Sequence, residues 1–270
     1  MTDKYAVIGN PIAHSKSPEI HTMFAEQTGQ DISYEAILAP PDGFAAIIER
    51  LRKEGYKGCN VTVPFKFEAC QLASQLSPLA YVAQAVNTLK FDDGRIIGYN
   101  TDGTGLSRDI RFNLDIPLNN KRVLLIGAGG AANGVALPLA HEGVKLTIVN
   151  RTADKAKTLA SSHISDKSII SGCGFDEIAD QQFDVVINAT SAGLTDSEIP
   201  LPSTIFATGA LAYDMMYGRE TPFMKFARAH GAAIVADGLG MLVEQAAESF
   251  YIWRGVRPET APVIAALRLS

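Results

Sequence analysis

The feature that most constrains the fold is a glycine-rich turn between two apolar segments in the middle of the chain. The turn, Gly127-Ala128-Gly129-Gly130-Ala131-Ala132, follows the apolar run 123–126 and opens a helical stretch that ends at Gly143. A second apolar run, 145–149, comes next. A strand, a glycine turn, a helix and a second strand in this order predict a βαβ unit of the kind that binds dinucleotides.

The residue types of this turn suit such a ligand. Gly127 permits the tight turn, Gly129 lets the backbone approach a pyrophosphate, and Ala132 is small enough for the helix to pack against the strand. The helix N-terminus would offer unpaired N–H groups to the phosphates. A G-x-G-x-x-A pattern also occurs in plain strand-to-helix turns, but here both strands and the helix lie where the motif requires them.

The end of the second strand indicates which cofactor is bound. An NAD site usually has Asp or Glu there to hold the ribose 2′-OH, whereas this chain has Asn150, Arg151 and Thr152. Arg151 could stack on adenine and pair with a 2′-phosphate, and Lys155 adds a second positive charge one turn later. The sequence therefore favours NADP. The alternative is that Arg151 and Lys155 are solvated residues at a helix start.

Charge and cysteine content exclude several classes of protein. The 270-residue chain has a formal net charge of −5, which argues against a general nucleic-acid or membrane-surface binder. No segment approaches the roughly 20 apolar residues of a membrane span, and no signal peptide is recognisable at the start. The three cysteines are scattered and the five histidines show no metal-ligand pairing. We expect a cytoplasmic globular protein without a metal.

Further strands alternate with helices after the nucleotide unit, near residues 183–190, 210–215 and 232–238. This alternation predicts a parallel, doubly wound sheet. Ligands of such sheets lie beyond the carboxyl ends of the strands, where Thr190, Met215 to Tyr217 and Gly238 fall.

Two serines lie in a proline-containing loop just ahead of the first helix. One of Ser15 and Ser17 could be an N-cap with the other solvated, or both hydroxyls could face a polyhydroxylated ligand. The stretch alone leaves both interpretations open.

A lysine opens the helix that follows the segment Asn60-Val61-Thr62-Val63-Pro64-Phe65. The N-terminal dipole disfavours a cation there, so Lys66 is a local conflict that indicates a function, although an ordinary solvated lysine is the alternative. Asn87 lies inside an apolar run, where it needs partners if buried. Asp102 could cap a helix beginning near Gly105, or it could be a carboxylate facing a cleft.

Eight stretches of the sequence carry a resemblance to a known family. They are GNPIAHSKSP (9–18), NVTVPFK (60–66), AVNTL (85–89), NTDG (100–103), GAGGAA (127–132), NRT (150–152), NATSAG (188–193) and DGLGMLVEQA (237–246). Several lie outside the nucleotide unit, so a generic dinucleotide-binding protein would not share them. Over essentially its full length the chain resembles the shikimate dehydrogenases.

The resemblance implies an α/β protein of two domains. A discontinuous α/β substrate-binding and catalytic domain would comprise residues 1–101 and 239–270, and a Rossmann-type, doubly wound NADP domain residues 102–238. Lys66 and Asp102 would form the catalytic pair. The residues expected to contact shikimate are Ser15, Ser17, Thr62, Asn87, Asp102, Tyr217 and Gln245. Those expected at NADP are Gly127, Ala128, Gly129, Gly130, Ala131, Asn150, Arg151, Thr152, Lys155, Thr190, Met215 and Gly238.

The implied reaction is the reversible NADPH-dependent reduction of 3-dehydroshikimate to shikimate, a step of aromatic amino acid biosynthesis. Lys66 would stabilise the charge that develops on the ketone oxygen and donate a proton, and Asp102 would orient the lysine. The expected partner is this small molecule, with no nucleic acid or membrane, and the protein would be a monomer or homodimer.

Three alternatives remain beside this interpretation. A quinate/shikimate dehydrogenase that prefers NAD is disfavoured by Arg151, and a non-catalytic NADP-binding regulator is disfavoured by the intact Lys66 and Asp102. A paralogue with an altered substrate preference is compatible with departures from the family pattern. Tyr99 stands where an aspartate is frequent, and Ser77 follows Leu76 where an acidic residue is common.

Overall fold

The structure is a computed structural model that describes residues 2–162, 169–190, 192 and 197–269. The chain divides into two compact units, one of Met1–Gly105 with Leu242–Ser270 and one of Leu106–Met241. Each unit contains a six-stranded sheet with helices, which confirms the predicted α/β class. No helix in the described ranges combines the length and apolar character that crossing a membrane requires.

The described elements follow one another along the chain as strands and helices, interrupted by a π-helical turn at Asp109–Asn113 and a 3₁₀ turn at Phe175–Ile178. The first part comprises β1 (Asp3–Gly9), α1 (Ser17–Thr28), β2 (Ile32–Leu38), α2 (Phe44–Lys53), β3 (Gly58–Val61), α3 (Lys66–Leu72), β4 (Gln75–Leu76), α4 (Pro78–Ala83), β5 (Thr88–Asp92), β6 (Arg95–Tyr99) and α5 (Asp102–Arg108). The remainder comprises β7 (Arg122–Ile126), α6 (Gly130–His141), β8 (Lys145–Val149), α7 (Ala153–Ser161), β9 (Ile169–Cys173), β10 (Phe183–Asn188), β11 (Phe206–Asp214), α8 (Pro222–Ala229), β12 (Ile234–Ala236), α9 (Leu239–Arg254) and α10 (Ala261–Leu269).

The sheet of the first unit is mixed, with the strand order β2-β1-β3-β5-β6-β4. β1 runs parallel to β2 and β3, whereas the hairpin β5–β6 enters with β5 antiparallel to β3. Asp93 and Gly94 turn this hairpin with positive φ angles of 44° and 80°, as such tight turns require. The reversal puts the carboxyl ends of β1, β3 and β6 and the amino end of β5 at one edge of the sheet.

The sheet of the second unit is entirely parallel, with the strand order β12-β11-β10-β7-β8-β9. This is the doubly wound order of dinucleotide-binding domains, in which the first strand, β7, lies beside the fourth, β10. Alternate residues of β7 belong to two separate apolar clusters: Val123 and Leu125 to one, Leu124 and Ile126 to the other. Burial on both faces explains why these strands are continuous apolar runs.

At two places the structure excludes one of the alternatives that the sequence left open. α5 begins at Asp102 itself and not near Gly105, so Asp102 is the first residue of the helix and not a cap ahead of it. Neither serine is the N-cap of α1, because that position belongs to Lys16, which makes no side-chain capping bond. Pro18 does lie in the first turn, as its fixed φ favours. Ser17 is the first helical residue, and its N–H donates to Ser15 Oγ at 3.3 Å.

Candidate active site

The first unit brings several of the predicted polar side chains to one edge of its sheet. Thr62 follows β3, Asn87 precedes β5, and Asp102 comes shortly after β6. The backbone ties these segments together, because Val61 N–H donates to the Asn87 carbonyl and Asn87 N–H donates to the Tyr99 carbonyl. These residues are close because of the strand order. That order cannot be inferred from any short stretch of the sequence.

Lys66 and Asp102 form the central contact of this edge. Lys66 Nζ lies 2.6 Å from Asp102 Oδ2, and their side chains are 19% and 8% exposed. Lys66 is the first residue of α3, as the sequence predicted, and Asp102 is the first of α5. The partial positive charge of a helix N-terminus disfavours a cation, and the Asp102 carboxylate compensates by placing a negative charge beside Lys66. A short ion pair that keeps the lysine partly accessible leaves its ammonium group able to meet a ligand.

Asn87 connects this pair to the last long helix. Its Nδ2 donates to Asp102 Oδ1 at 2.8 Å and reaches Gln245 Oε1, on α9, at 3.2 Å. Its Oδ1 accepts from Thr101 N at 2.9 Å. Asn87 is almost fully buried and has the partners that a buried amide needs. The structure thus brings together Lys66, Asp102, Asn87 and Gln245.

A second layer of hydroxyl and amide groups lies behind Asn87, and the sequence did not predict it. The Ser249 hydroxyl accepts from Asn60 Nδ2 at 3.0 Å and lies 2.8 Å from Thr88 Oγ1 and 3.3 Å from Thr101 Oγ1. All four side chains are buried. Only Asn60 within an otherwise apolar strand hinted at such a layer, because Ser249 on its own is unremarkable in an amphipathic helix.

The remaining predicted substrate residues have different settings. Ser17 is buried, Ser15 and Thr62 are half-buried, and Thr62 N–H donates to the Ile8 carbonyl, which holds the segment after β3 against the end of β1. Tyr217 belongs to the second unit, where burial raises the pKa of its hydroxyl above the ordinary value. Its predicted contact with the substrate stays a prediction.

In the second unit the glycine turn is tight at Gly127 and open at Gly129. Gly127 has a φ of +110°, and its N–H donates to the Val149 carbonyl at 2.8 Å. A Cβ at Gly129 would meet no heavy atom within 4 Å, so open space lies in front of the turn. α6 begins at the next residue and directs its first N–H groups there.

A cavity of about 420 Å³ adjoins this turn. Six of the residues predicted to bind the cofactor line it: Gly127, Ala128, Gly129, Asn150, Arg151 and Thr190. Phe175, Glu198 and Ile199 also line it and were not predicted from the sequence. Gly130, Ala131, Thr152 and Lys155 are not among its lining residues, and Thr152 and Lys155 are exposed. The open turn and the exposed Arg151 beside a cavity of this size fit a phosphorylated dinucleotide.

Met215 and Gly238 lie together at the ends of β11 and β12. A Cβ on Gly238 would be 2.3 Å from the Met215 carbonyl oxygen, so the close approach requires glycine. Met215 N–H donates to the carbonyl of Asn188, which ends β10. Ser191 and Gly193 of the NATSAG stretch lie outside the described residues.

Fold and sites together define a class of protein. A doubly wound domain with an open dinucleotide turn, joined to a domain with a partly accessible lysine–aspartate pair among amides and hydroxyls, is typical of a nucleotide-dependent oxidoreductase that acts on a hydroxylated small molecule.

Comparison with known proteins identifies the family. Residues 7–89 match the model of the shikimate dehydrogenase substrate binding domain, 111–195 that of shikimate/quinate 5-dehydrogenase, and 238–268 that of the shikimate 5′-dehydrogenase C-terminal domain. The shikimate dehydrogenase (NADP(+)) of Methylobacillus flagellatus is 62% identical over 99% of this chain and 100% of its own. The chain belongs to the shikimate dehydrogenase family, which confirms the resemblance seen in the sequence.

Two solved structures resemble this chain closely. An Ael1 enzyme from Pseudomonas putida is 50% identical with a TM-score of 0.93, and the match covers 98% of each chain. The shikimate 5-dehydrogenase of Thermus thermophilus, solved in complex with NADP(H) and shikimate, is 33% identical with a TM-score of 0.88, and the match covers 99% of each chain.

Proposed function

We propose that this chain catalyses the reversible, NADPH-dependent reduction of 3-dehydroshikimate to shikimate. The observation that carries the proposal is the contact of 2.6 Å between Lys66 Nζ and Asp102 Oδ2, beside the amide of Asn87. Membership of the shikimate dehydrogenase family supports it. The same membership supports a place in the biosynthesis of aromatic amino acids.

The cofactor site of the proposal is the glycine turn with the cavity beside it. Gly127 to Ala131 would hold the pyrophosphate, Asn150 to Lys155 the adenosine end, and Thr190, Met215 and Gly238 the other end. When bound, NADPH supplies the hydride for the ketone carbon, and NADP⁺ accepts it in reverse. Arg151 favours NADP over NAD, because its planar guanidinium pairs with a 2′-phosphate and no acidic residue ends β8.

Lys66 is the proton donor of the proposed reaction. As negative charge develops on the ketone oxygen, the Lys66 ammonium stabilises it and transfers one proton, which yields the alcohol and a neutral lysine. The lysine regains its proton from solvent, to which it is partly exposed. In the oxidative direction the neutral amine accepts the alcohol proton. Asp102 orients Lys66 and accepts a hydrogen bond from the neighbouring hydroxyl of the substrate.

Polar side chains explain how the substrate would be held. Shikimate carries a carboxylate and three hydroxyl groups, for which the hydroxyls of Ser15, Ser17 and Thr62 and the amides of Asn87 and Gln245 are suitable partners. Asn87 and Gln245 are already hydrogen-bonded to each other, so their orientation is set before a substrate arrives. Such preorganisation lowers the entropic cost of binding.

The proposal also includes the setting of the enzyme. We propose that it acts in the cytoplasm as a monomer or homodimer, with the small-molecule substrate as its partner rather than a nucleic acid or membrane. The three cysteines are buried free thiols, as expected for a reducing compartment. Size-exclusion chromatography with light scattering would decide between the two oligomeric states.

The direct test is a set of initial rates with shikimate or quinate, each against NADP⁺ and NAD⁺. We expect the pair shikimate and NADP⁺ to dominate. Faster turnover of quinate or of NAD⁺ would contradict the substrate or the cofactor assignment respectively, and would favour a quinate/shikimate dehydrogenase or a paralogue with altered preference.

The catalytic assignment is tested by Lys66→Ala. Removal of a general acid–base typically lowers the rate by about 10²- to 10⁴-fold, so we expect kcat to fall within that range while NADPH still binds. Lys53→Ala is the matched control, because Lys53 is an exposed lysine at the end of α2 in the same unit. A folded Lys66→Ala protein with the activity of the control would overturn the assignment.

A further inference from the structure

A buried carboxylate of the second unit takes no part in the chemistry proposed above. Asp214 is the last residue of β11 and is completely buried. Three donors face it: Met216 N at 3.0 Å from Oδ1, and Thr221 Oγ1 at 2.5 Å and Asn188 Nδ2 at 3.2 Å from Oδ2. Burying a carboxylate is costly unless it is well hydrogen-bonded, so its presence at this position calls for a role.

The partners of Asp214 connect three elements. Asn188 ends β10, and its Oδ1 in turn accepts from Thr190 N at 3.1 Å and from Thr190 Oγ1 at 2.7 Å. Thr221 is the N-cap of α8, since its Oγ1 accepts from Met224 N at 3.3 Å. The carboxylate therefore orients an amide that orients Thr190, and it also fixes the start of a helix.

The same carboxylate holds the segment that follows β11. The Met216 N–H donates to Asp214, while the Met216 carbonyl accepts from Gly238 N at 2.8 Å. Met215 N–H donates to the Asn188 carbonyl at 3.0 Å. Both the N–H and the carbonyl of Met216 are thus hydrogen-bonded, which fixes the backbone between Met215 and Tyr217.

The strand order indicates which part of a dinucleotide this segment meets. Arg151 follows β8, whereas Thr190 and Met215 follow β10 and β11, two and three strands further along the sheet. Strands are spaced by about 4.8 Å, so the segment that begins with Met215 after β11 lies about 14 Å from the segment with Arg151 after β8 in the direction of the strand order. Thr190 and Met215 therefore correspond to the nicotinamide half.

We infer that Asp214 is a positioning residue, which holds Thr190 and the segment Met215–Tyr217 in place for the nicotinamide half of the cofactor without contacting the cofactor itself. This inference rests on the proposed function for its effect on turnover. Its effect on cofactor binding can be measured independently, because NADPH has both halves whereas 2′,5′-ADP has the adenosine half alone.

The test is Asp214→Asn, which keeps the shape but replaces one acceptor by an NH₂ group. If the amide oxygen faces Thr221 and Asn188, the NH₂ group faces the Met216 N–H and displaces that peptide. Because the displaced peptide no longer holds Met215 in place for the nicotinamide half, we expect the Kd of NADPH to rise at least about fivefold. The Kd of 2′,5′-ADP should stay within about twofold. Because misplaced reacting groups lower rates strongly, kcat should fall about tenfold or more.

A matched control separates positioning from general stability. Asp184→Asn is the same substitution on β10, where Asp184 pairs with Arg122 near the start of the strand. It should lower the melting temperature slightly and leave both dissociation constants and kcat unchanged. Thr221→Ser, which keeps a hydroxyl for Asp214, should retain kcat, whereas Thr221→Val should lower it.

Two results would overturn the inference. One is an unchanged Kd of NADPH in folded Asp214→Asn. The other is an equal weakening of NADPH and 2′,5′-ADP, which indicates a general structural defect. If the unsubstituted enzyme turns over none of the tested substrate pairs, the proposed function fails, but the contrast between the two ligands still tests the role of Asp214.

Discussion

Lys66 is placed where local electrostatics alone would not place it. The N-terminus of a helix favours anions, and a lysine there costs a few tenths of a kcal/mol or more. Asp102 offsets this cost at 2.6 Å, and Asn87 holds the second oxygen of the same carboxylate. The long side chain of lysine is flexible by itself, but these hydrogen bonds fix the orientation of the Lys66 ammonium group. A proton donor of defined direction is what a ketone reduction requires.

The two glycines of the dinucleotide turn are expected to respond differently to the same substitution. Gly129 has a φ of −91° and room for a Cβ but is the N-cap of α6, so Gly129→Ala should lower the free energy of unfolding by no more than about 1 kcal/mol. The new methyl group would, however, occupy the space of the pyrophosphate. We expect NADPH affinity to fall by roughly tenfold or more, measured by the fluorescence of the bound nicotinamide.

Gly127→Ala is the matched control for that prediction. At a φ of +110° an alanine is strained, so this variant should be destabilised by about 1–3 kcal/mol in urea unfolding. The interpretation of the turn would be contradicted if Gly129→Ala bound NADPH normally, or if it lost as much stability as Gly127→Ala.

At the scale of elements, the site of the first unit depends on four segments that meet through buried polar groups. β3 contributes Asn60, β5 contributes Thr88, the turn before α5 contributes Thr101, and α9 contributes Ser249. Ser249 also donates to the Gln245 carbonyl at 3.0 Å on its own helix. This layer fixes α9 against the sheet by hydrogen bonds as well as by apolar packing.

Ser249→Ala tests the contribution of this layer. The substitution leaves Asn60, Thr88 and Thr101 one partner short in a buried place, so the free energy of unfolding should fall by about 1–3 kcal/mol. Urea unfolding measures it. Ser161→Ala is the control, since Ser161 makes a similar bond to a helix carbonyl on an exposed surface and should change stability by less than about 0.5 kcal/mol. Equal effects of the two substitutions would show that the layer adds nothing.

Much of this organisation was predictable from the sequence, because it is encoded locally. The glycine turn, the apolar runs of the parallel sheet and the position of Lys66 at a helix start are each signals contained within a short stretch of chain. The polar layer was not predictable, since Asn60 and Ser249 are 189 positions apart and neither is distinctive alone. The start of α5 was misjudged because Asn100 Oδ1 accepts from the Asp102 N–H, which starts the helix earlier than the glycines suggest.

At the scale of the whole molecule, one buried histidine links stability to pH. His21 of α1 is stacked on Tyr34 at 4.1 Å between ring centroids and packs near Trp253 at 5.5 Å, so it joins the N-terminal and C-terminal parts of the first unit. Burial lowers the pKa of His21 from 6.5 to about 3. The folded protein therefore keeps this ring neutral under mildly acidic conditions.

The sign of the pH effect follows from proton uptake. Between pH 6.5 and about 3 the unfolded chain binds a proton at His21 that the folded chain does not, so stability falls as the pH falls through this window. The slope from this residue reaches at most about 1.4 kcal/mol per pH unit. His21→Phe should remove that part of the slope in urea unfolding from pH 7 to pH 4. His141→Phe, at the exposed end of α6, should retain the slope of the unsubstituted chain, and an unchanged slope in His21→Phe would contradict the assignment.

The division of the chain has a consequence for the order in which the protein is made. The second unit is one continuous segment, Leu106–Met241, whereas the first unit also needs Leu242–Ser270, which is translated after the second unit. Domains fold as units during synthesis, usually from the N-terminal end. Here the second unit is fully synthesised before the first unit, although its translation begins later. The sheet of β1 to β6 is complete only with α9, which contributes Gln245 and Ser249, so the residues around Lys66 acquire these partners only after the second unit has been synthesised.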